Sequence, residues 1–302
     1  MPTETINSTT IEDTFAEAFS MRYTRLIVTA HDEYWLRAAL REFCGFGSSV
    51  IQCDAEVGIE RFLSASNTMD GRVGAALLIF GFNDQKLASA VQKRTGQSLM
   101  TCPTTAVFNG LFDTESKLPL GDHLRFFGDG FQKSKSIGNQ RFWRIPVMDG
   151  EFLIEDQVGI AEGIGGGNFL VQSRDQASGL AAVRRSINVI DELPGVITPF
   201  PGGVVRSGSK VGSRYKGLPA STSDPYCPTL RGRVESQLHP EANCVYEIVI
   251  DGDNFESIST AMACGIHAAA SPDIVSISAG NYGGKLGKHH FQLPQIIRDH
   301  PH

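Results

Sequence analysis

The chain lacks the features that mark nucleic-acid-binding, membrane-spanning or disulfide-stabilised proteins. Its formal net charge is −6, whereas a nucleic-acid partner needs a basic surface. Its longest purely apolar run, Ala75 to Phe80, is far too short to cross a bilayer. The six cysteines form no Cys-x-x-Cys pair, and acidic residues stand where a signal peptide would be apolar. We therefore expect no nucleic acid, no membrane, and a cytoplasmic location with reduced thiols.

A segment rich in glycine, proline and serine, residues 199–228, is instead typical of a ligand-binding loop. Glycine lets the backbone approach a ligand closely, and proline restricts the loop that does so. The interleaved Phe200, Val204 and Tyr226 argue against simple disorder. The candidate substrate-binding residues here are Pro201, Gly202, Gly203, Ser207, Ser209, Lys210, Ser221, Thr222, Tyr226 and Cys227.

An internal duplication indicates the fold. Ile11-Glu12-Asp13 recurs as Ile154-Glu155-Asp156, and the same offset places Asp32 on Asp175. Each half contains strand–helix–strand twice, a pattern that gives a four-stranded antiparallel sheet with two helices on one face. We expect an α+β fold of two duplicated ferredoxin-like lobes, 1–150 and 151–302. A doubly wound parallel sheet is the competing topology.

Apolar patterns and capping residues place the individual elements. In the first half we expect helices that start after Asp32 and Asn83, and strands at 25–29, 48–53, 75–80 and 98–101. In the second half we expect strands at 168–172, 195–199, 244–250 and 273–278, with helices at 176–191 and 254–270. A hairpin region, 123–150, is expected to contain strands at 124–127 and 142–147.

Glu247 is the candidate catalytic residue. In its predicted strand, alternation places it on the same face as Val245 and Val249. A carboxyl group among valines is partly desolvated, which raises its pKa and allows the neutral acid to donate a proton near pH 7. The alternative is that the opposite face of the strand packs into the core while Glu247 lies in water.

Other motifs have simpler explanations. Gly163–Gly167 precedes a strand instead of following one, so it is not a nucleotide-binding loop. Asp251–Asn254 lacks the spacing of a calcium loop, and the histidines lack metal-ligand spacing, so no metal is expected. Cys227 is an alternative nucleophile, but neither glycine-rich segment contains a histidine base. Lys210 and Lys285 are candidate anion-binding residues, although a single lysine is more often only solvated.

Several motifs, which together span nearly the whole chain, resemble the formylmethanofuran:tetrahydromethanopterin formyltransferase family. They are Ile11–Phe19, Gly45–Gly47, Phe126–Gly130, Gly166–Phe169, Pro199–Cys227, Cys244–Ile250 and Ser278–Gly287. Ser223 and Pro225 depart from the family pattern, in which we expect asparagine and alanine.

The resemblance implies formyl transfer between methanofuran and tetrahydromethanopterin, which act as coenzyme substrates, with no permanently bound cofactor and no metal. It implies two ferredoxin-like lobes in a homotetramer, or in a complex with the other subunits of a formyltransferase/hydrolase complex. The family's catalytic carboxylate matches Glu247, and Asn168 and Asn281 lie in matching motifs, so they join the candidate substrate-binding residues.

Two other functions stay open on the sequence alone. Duplicated ferredoxin-like units also serve as sensors of small molecules. A sensor would tolerate Glu247→Gln but would lose ligand affinity when its loops were altered. A non-catalytic scaffold subunit is the other alternative, and it would have little use for the glycine-rich segments.

Overall fold

The computed structural model describes residues 4–301, which form two compact units. The first unit comprises residues 21–163, and the second combines residues 4–20 with residues 164–301. The chain passes from the first unit to the second after Gly163, and Gly150–Glu155 pairs with Gln140–Val147 inside the first unit. Residues 4–20 belong to the second unit because Thr9–Ile11 pairs with Ile274–Ser278.

The first unit contains a sheet whose four central strands lie in the order second, third, first, fourth. In chain order they are residues 21–29 of Phe15–Thr29, then Glu56–Leu63, Gly74–Gly81 and Ala106–Asn109. Each neighbouring pair is antiparallel. The sheet continues through Gly150–Glu155, Gln140–Val147 and Lys133–Ile137.

Two helices, Glu33–Cys44 and Asp84–Arg94, cover one face of this sheet. The side chains of Asp32 and Asn83 cap their first turns by accepting a hydrogen bond from a backbone N–H three residues on. The core beneath them is formed by buried residues such as Leu36, Leu87 and Leu77. The expected helix starts are therefore confirmed.

The second unit repeats this strand order. Its strands are residues 164–173 of Val158–Ser173, the short pair Val196–Ile197 and Val204–Val205, then Cys244–Gly252 and Ile274–Ser278. All pairings among them are antiparallel. Helices Gln176–Ile190 and Phe255–Ala269, capped by Asp175 and Asn254, cover one face, and both ends of each lie within one residue of the sequence prediction.

Shorter elements complete the two units: strands Glu4–Ile6, Ser116–Leu118, Lys210–Val211, Ala220–Ser221 and His289–Gln292, and helices Leu120–Leu124 and Leu293–Asp299. With these, the described residues contain six α-helices and a large, mainly antiparallel sheet system, so the fold is mixed α+β. The antiparallel pairing excludes the doubly wound parallel alternative. Within residues 4–301, no helix combines the length and apolar character that crossing a bilayer requires.

Three predicted strands are wrong. Residues 48–53 form a turn in which the Ser49 carbonyl accepts hydrogen bonds from two backbone N–H groups, and the strand begins only at Glu56. Residues 98–101 continue the preceding helical segment, and residues 124–127 lie in helical turns. Short apolar runs do not distinguish a strand from a helical turn without knowledge of which side is buried, and Ile51 is in fact 47% exposed.

Candidate active site

A cavity of about 590 Å³ lies on the sheet of the second unit, on the face opposite its two helices. Leu170, Val205 and Glu247 line it from three adjacent strands. The alternate residues Phe169 and Ile248 pack beneath the helices. Strand alternation therefore divides this sheet into an apolar core face and a cavity face.

Two connections and the N-terminal segment form the cavity walls. The long connection between strands Val204–Val205 and Cys244–Gly252 supplies residues from Arg206 to Gln237, and the connection after Ile274–Ser278 supplies Asn281 and Tyr282. Glu12 and Thr14 complete the lining. Every lining residue belongs to the second unit.

Glu247 stands in the middle strand of this face. Its register partners are Leu170 on one side and Val205 on the other, and Val245 precedes it on the same face. None of the described residues hydrogen-bonds to its carboxyl group. Burial among these aliphatic neighbours raises the pKa of Glu247 to about 7. The carboxyl group can therefore be present as a neutral acid near physiological pH.

Two tyrosines lie close to this carboxyl group. The Tyr226 hydroxyl lies 3.4 Å from the Ser278 hydroxyl, and the Tyr282 hydroxyl bonds to Ser209. Burial raises the pKa of both phenols, and the charge of Glu247 raises them further. Both side chains therefore remain neutral and able to donate hydrogen bonds beside Glu247.

A second carboxylate, Glu12, lines the same cavity in a polar setting. Its Oε1 accepts hydrogen bonds from Gln172 Nε2 at 3.0 Å and from the Ser276 hydroxyl at 2.6 Å. Gln172 in turn accepts a hydrogen bond from the backbone N–H of His239 at 2.8 Å. The cavity thus contains one carboxyl group among aliphatic side chains and one held by hydrogen bonds, an arrangement that suits separate roles.

The two basic side chains that line the cavity, Lys210 and Arg206, differ in whether an acidic residue already pairs with them. The Lys210 ammonium lies 2.7 Å from Asp224 Oδ1, and this hydrogen bond lowers the pKa of Asp224. Arg206 is exposed, lines the cavity and forms no ion pair with any described residue. Arg206 is therefore the guanidinium that remains available to an anionic ligand group.

Comparison with known proteins identifies the family to which the chain belongs. The family model described as formylmethanofuran-tetrahydromethanopterin formyltransferase matches residues 4–147, and the model described as FTR, proximal lobe, matches residues 150–296. The chain belongs to the formylmethanofuran-tetrahydromethanopterin formyltransferase family.

Relatives and solved structures of the same family are similar to this chain over nearly its whole length. The formylmethanofuran–tetrahydromethanopterin formyltransferase of Methylobacillus flagellatus is 51% identical, over 97% of this chain and 99% of that protein. The formyltransferase/hydrolase complex from Methylorubrum extorquens, solved with methylofuran, contains a chain with 45% identity and a TM-score of 0.95, covering 98% and 99% of the two chains. The formyltransferase structure from Methanosarcina barkeri has 44% identity and a TM-score of 0.92, covering 97% and 100%.

The sequence-predicted residues of this formyltransferase-family chain divide into two groups. Those that line the cavity with Glu247 are Asn168, Ser207, Ser209, Lys210, Tyr226, Cys227 and Asn281. Those that do not line it are Pro201, Gly202, Gly203, Ser221, Thr222 and Lys285. In the second group, the hydroxyl of Thr222 donates to the Ser207 carbonyl and that of Ser221 to the Gly212 carbonyl, so both support the loop.

Asn168 lines the cavity, but its side-chain amide forms hydrogen bonds with backbone groups of the protein. Its Oδ1 accepts from the Gly280 N–H at 2.6 Å, and its Nδ2 donates to the carbonyls of Gly280 at 3.1 Å and Gly166 at 3.0 Å. Both amide hydrogens are thereby occupied. Asn168 consequently positions the Gly280 backbone beside the cavity.

Cys227 also lines the cavity, without a basic partner. Its sulfur lies 3.5 Å from the Thr222 hydroxyl and 3.4 Å from the Ser223 carbonyl, and none of the described cavity-lining residues is a histidine. Ser223 and Pro225, which depart from the expected family pattern, belong to the same wall.

Sequence reasoning missed several cavity residues. They are Glu12, Thr14, Arg206, Gln237, Ser278 and Tyr282. Glu12 and Tyr282 lie inside motifs that carry the family resemblance, so the motif boundaries contained the information. Within residues 4–301, no group of three or more histidine, cysteine or acidic side chains has an arrangement that suits a metal ion.

Proposed function

We propose that this protein transfers a formyl group between methanofuran and tetrahydromethanopterin, and that Glu247 is the general acid of the reaction. The relatives that carry this activity in their names align over almost the entire chain. The observation that carries the catalytic assignment is the position of Glu247, a carboxyl group with a pKa of about 7 on the wall of the cavity.

The chemistry requires a proton donor of this kind. Attack of an amine nitrogen on the formyl carbon produces a tetrahedral intermediate with a developing oxyanion. Neutral Glu247 would donate a hydrogen bond or proton to that oxygen, or protonate the departing amine. The carbon–nitrogen bond to the first carrier breaks once the new bond is complete. The departing nitrogen takes the proton of Glu247, and the resulting carboxylate takes up the proton that the attacking nitrogen releases, so no covalent enzyme intermediate is needed.

The cavity walls would supply the rest of the catalytic effect by positioning. Holding two reactants in a productive geometry can contribute a large part of a rate enhancement. The neutral phenols of Tyr226 and Tyr282 offer hydrogen bonds near Glu247. Arg206 would bind an acidic group of a coenzyme tail, and Lys210 would do so only on leaving Asp224.

We further propose that the two lobes are duplicated ferredoxin-like units, 1–150 and 151–302. The shared strand order and the four side-chain caps Asp32, Asn83, Asp175 and Asn254 support this assignment. The two family models also meet between residues 147 and 150.

The working assembly belongs to the same proposal. We propose a homo-oligomer, a tetramer, or association with the other subunits of a formyltransferase/hydrolase complex, as in the Methylorubrum extorquens structure. Methanofuran and tetrahydromethanopterin would act as coenzyme substrates, with no permanently bound cofactor and no metal. The six cysteines are unpaired thiols, which supports a cytoplasmic location.

A coupled assay with both purified coenzymes tests the activity. The protein, alone or with its companion subunits, should transfer the formyl group from formylmethanofuran to tetrahydromethanopterin. If purified, folded protein shows no transfer in either state, the proposal is wrong. Transfer that persists in Glu247→Gln at the wild-type rate would leave the activity in place but remove Glu247 from the mechanism.

A further inference from the structure

The connection 279–288, which brings Asn281 and Tyr282 to the cavity, has an irregular backbone. Gly283 and Gly284 both lie in the left-handed region, with φ of 72° and 71°. Such a segment has no ladder hydrogen bonds of its own, so something else must satisfy its backbone N–H groups.

That partner is the carboxylate of Glu17, which is only 1% exposed on strand Phe15–Thr29. Its Oε2 accepts from the N–H groups of Tyr282 at 2.7 Å and Gly284 at 2.9 Å. Its Oε1 accepts from those of Leu286 and Gly287, both at 2.5 Å. One carboxylate therefore satisfies four backbone donors of a single loop.

The carboxylate also holds its charge. Burial alone would raise the pKa of Glu17, but the four backbone hydrogen bonds outweigh it, and the pKa is lowered. The loop also packs closely against the strand that carries Glu17, and it requires glycine at the contact. A Cβ at Gly287 would lie 2.4 Å from the carbonyl oxygen of Ala18 on that strand. Glu17 is thus an ionised group whose hydrogen bonds are directed at the loop.

We propose that Glu17 is a positioning residue for the formyl transfer, acting through the loop to hold Asn281 and Tyr282 at the cavity. The inference rests on the proposed function. The held position of Tyr282 allows its hydroxyl to bond with Ser209, which joins the two cavity walls beside Glu247. Glu17 itself does not line the cavity and touches no reacting atom.

Glu17→Gln is the informative substitution, because it keeps the size of the side chain while removing its charge and changing its hydrogen bonding. A glutamine has one acceptor oxygen, and its NH₂ group would face two backbone N–H donors. In hydrogen–deuterium exchange of the protein without coenzymes, amides within 282–287 should exchange at least roughly tenfold faster than in the wild type. Amides of the helices Gln176–Ile190 and Phe255–Ala269 should be unchanged.

Kinetics separates positioning from a general loss of structure. In Glu17→Gln, KM for the coenzymes should rise roughly tenfold with a smaller fall in kcat. The inflection of kcat/KM near pH 7 should stay where it is, because the aliphatic neighbours that bury Glu247, Leu170, Val205 and Val245, lie on strands and not in the loop. Glu192→Gln, an exposed carboxylate in the same unit, is the matched control and should behave as the wild type.

Several results would overturn the proposal. One is unchanged exchange in 282–287; another is unchanged KM despite faster exchange. A third is faster exchange throughout the second unit together with a displaced pH inflection, which would make Glu17 a general stability residue. Because exchange is measured without turnover, a wild type that transfers no formyl group would refute the proposed function and leave this part of the test intact.

Gly283→Ala covers the case in which Glu17→Gln does not fold. Its Cβ would meet nothing within 4 Å, so the substitution only strains the left-handed backbone of the loop. The proposal predicts faster exchange in 282–287 and a KM increase of roughly threefold in this variant. Wild-type values for both would overturn it.

Discussion

The third strands of the two units occupy the same place in the strand order but carry different chemistry. Gly74–Gly81 in the first unit contains only glycine and apolar residues, and all of it is buried. Cys244–Gly252 in the second unit carries Glu247 on one face and core residues such as Ile248 on the other. The same topology thus accommodates either a fully apolar strand or a strand that places an acid at a cavity.

The connection that precedes each strand explains the difference. In the first unit only residues 64–73 separate the second strand from the third, whereas residues 206–243 do so in the second unit. The longer connection forms a wall over the Glu247 face and encloses a cavity there. A carboxyl group on that face is therefore partly shielded from bulk water without being packed into the core.

Each unit also contains a glutamate on a strand, removed at least in part from water. The two carboxyl groups differ in whether a basic side chain pairs with them. In the first unit, Glu60 is buried and accepts hydrogen bonds from Arg25 at 2.8 and 2.9 Å. Glu247 has no basic partner among the described residues and has a raised pKa instead. Removing the partner of a buried, paired carboxylate destabilises a fold, whereas an unpaired carboxyl group with a raised pKa keeps a proton available for chemistry.

The largest effect should come from Glu247→Gln. Loss of a general acid should lower turnover by roughly 10² to 10⁴-fold, while the melting temperature should not fall below that of the wild type. The assay with both coenzymes and a thermal unfolding curve measure the two quantities. Cys227→Ala is the control and should remain active; an inactive Cys227→Ala beside an active Glu247→Gln would show that the mechanism is wrong.

Breaking the paired carboxylate of the first unit should affect stability. Arg25→Met removes the guanidinium that donates two hydrogen bonds to buried Glu60 and should lower the unfolding free energy by about 3–5 kcal/mol. Arg144→Met removes the partly exposed pair with Glu151 and should cost less than about 1 kcal/mol. Urea unfolding compares the two. Equal losses would mean that burial does not separate these two ion pairs.

Two glycines between strands Val196–Ile197 and Val204–Val205, Gly202 and Gly203, distinguish packing from ligand contact. A Cβ at Gly203 would lie 2.4 Å from Ile187 Cδ1, so Gly203→Ala should lower stability by roughly 2–4 kcal/mol. Gly202 faces open space at φ 62°, and Gly202→Ala should cost only about 1 kcal/mol. Thermal unfolding gives the stabilities. Weaker coenzyme binding by Gly203→Ala at unchanged stability would instead favour the predicted substrate contact.

The pH dependence follows from the raised pKa of Glu247. Activity needs the protonated acid, so kcat/KM should be level below about pH 7 and fall roughly tenfold per pH unit above it. The folded state also binds the proton more tightly than the unfolded state, so Glu247 increasingly destabilises the fold as pH rises from 4.5 to about 7. The stability advantage of Glu247→Gln should grow over that interval. A rate that rises with pH would contradict the acid role.

The smallest effect is expected at Lys285. This residue is exposed and does not line the cavity, so Lys285→Ala should change KM by less than about twofold. Arg206→Ala, at the cavity, should raise KM about fivefold for a coenzyme with an acidic tail. Steady-state kinetics at low salt tests both. The reverse order of effects would move the anion site away from Arg206.

The helices were predictable from the sequence because their determinants are local. Asp32, Asn83, Asp175 and Asn254 cap their own first turns, and the apolar positions that follow mark the buried stripe. The strands at 48–53 and 98–101 were not predictable in the same way. Residues 48–53 form a turn and residues 98–101 continue a helical segment, and the neighbouring strands begin only at Glu56 and Ala106.

The candidate site was predictable to the extent that single residue types carried it. Glu247 stood out because an acid in a valine-rich strand is unusual, and Tyr226 and Ser209 lay in a loop of recognisable composition. Glu12 and Glu17 did not stand out, since acids near a chain terminus are ordinary. Their partners Gln172, Ser276 and the 282–287 backbone lie far away along the chain.

By itself, the sequence determined the helices, the family and the residue most suited to hold a proton, because capping, periodicity and motif identity act over short distances along the chain. The tertiary structure alone decided which side chains surround that proton. Strand pairing and loop closure bring together groups more than two hundred residues apart, and no local pattern records how far each is removed from water.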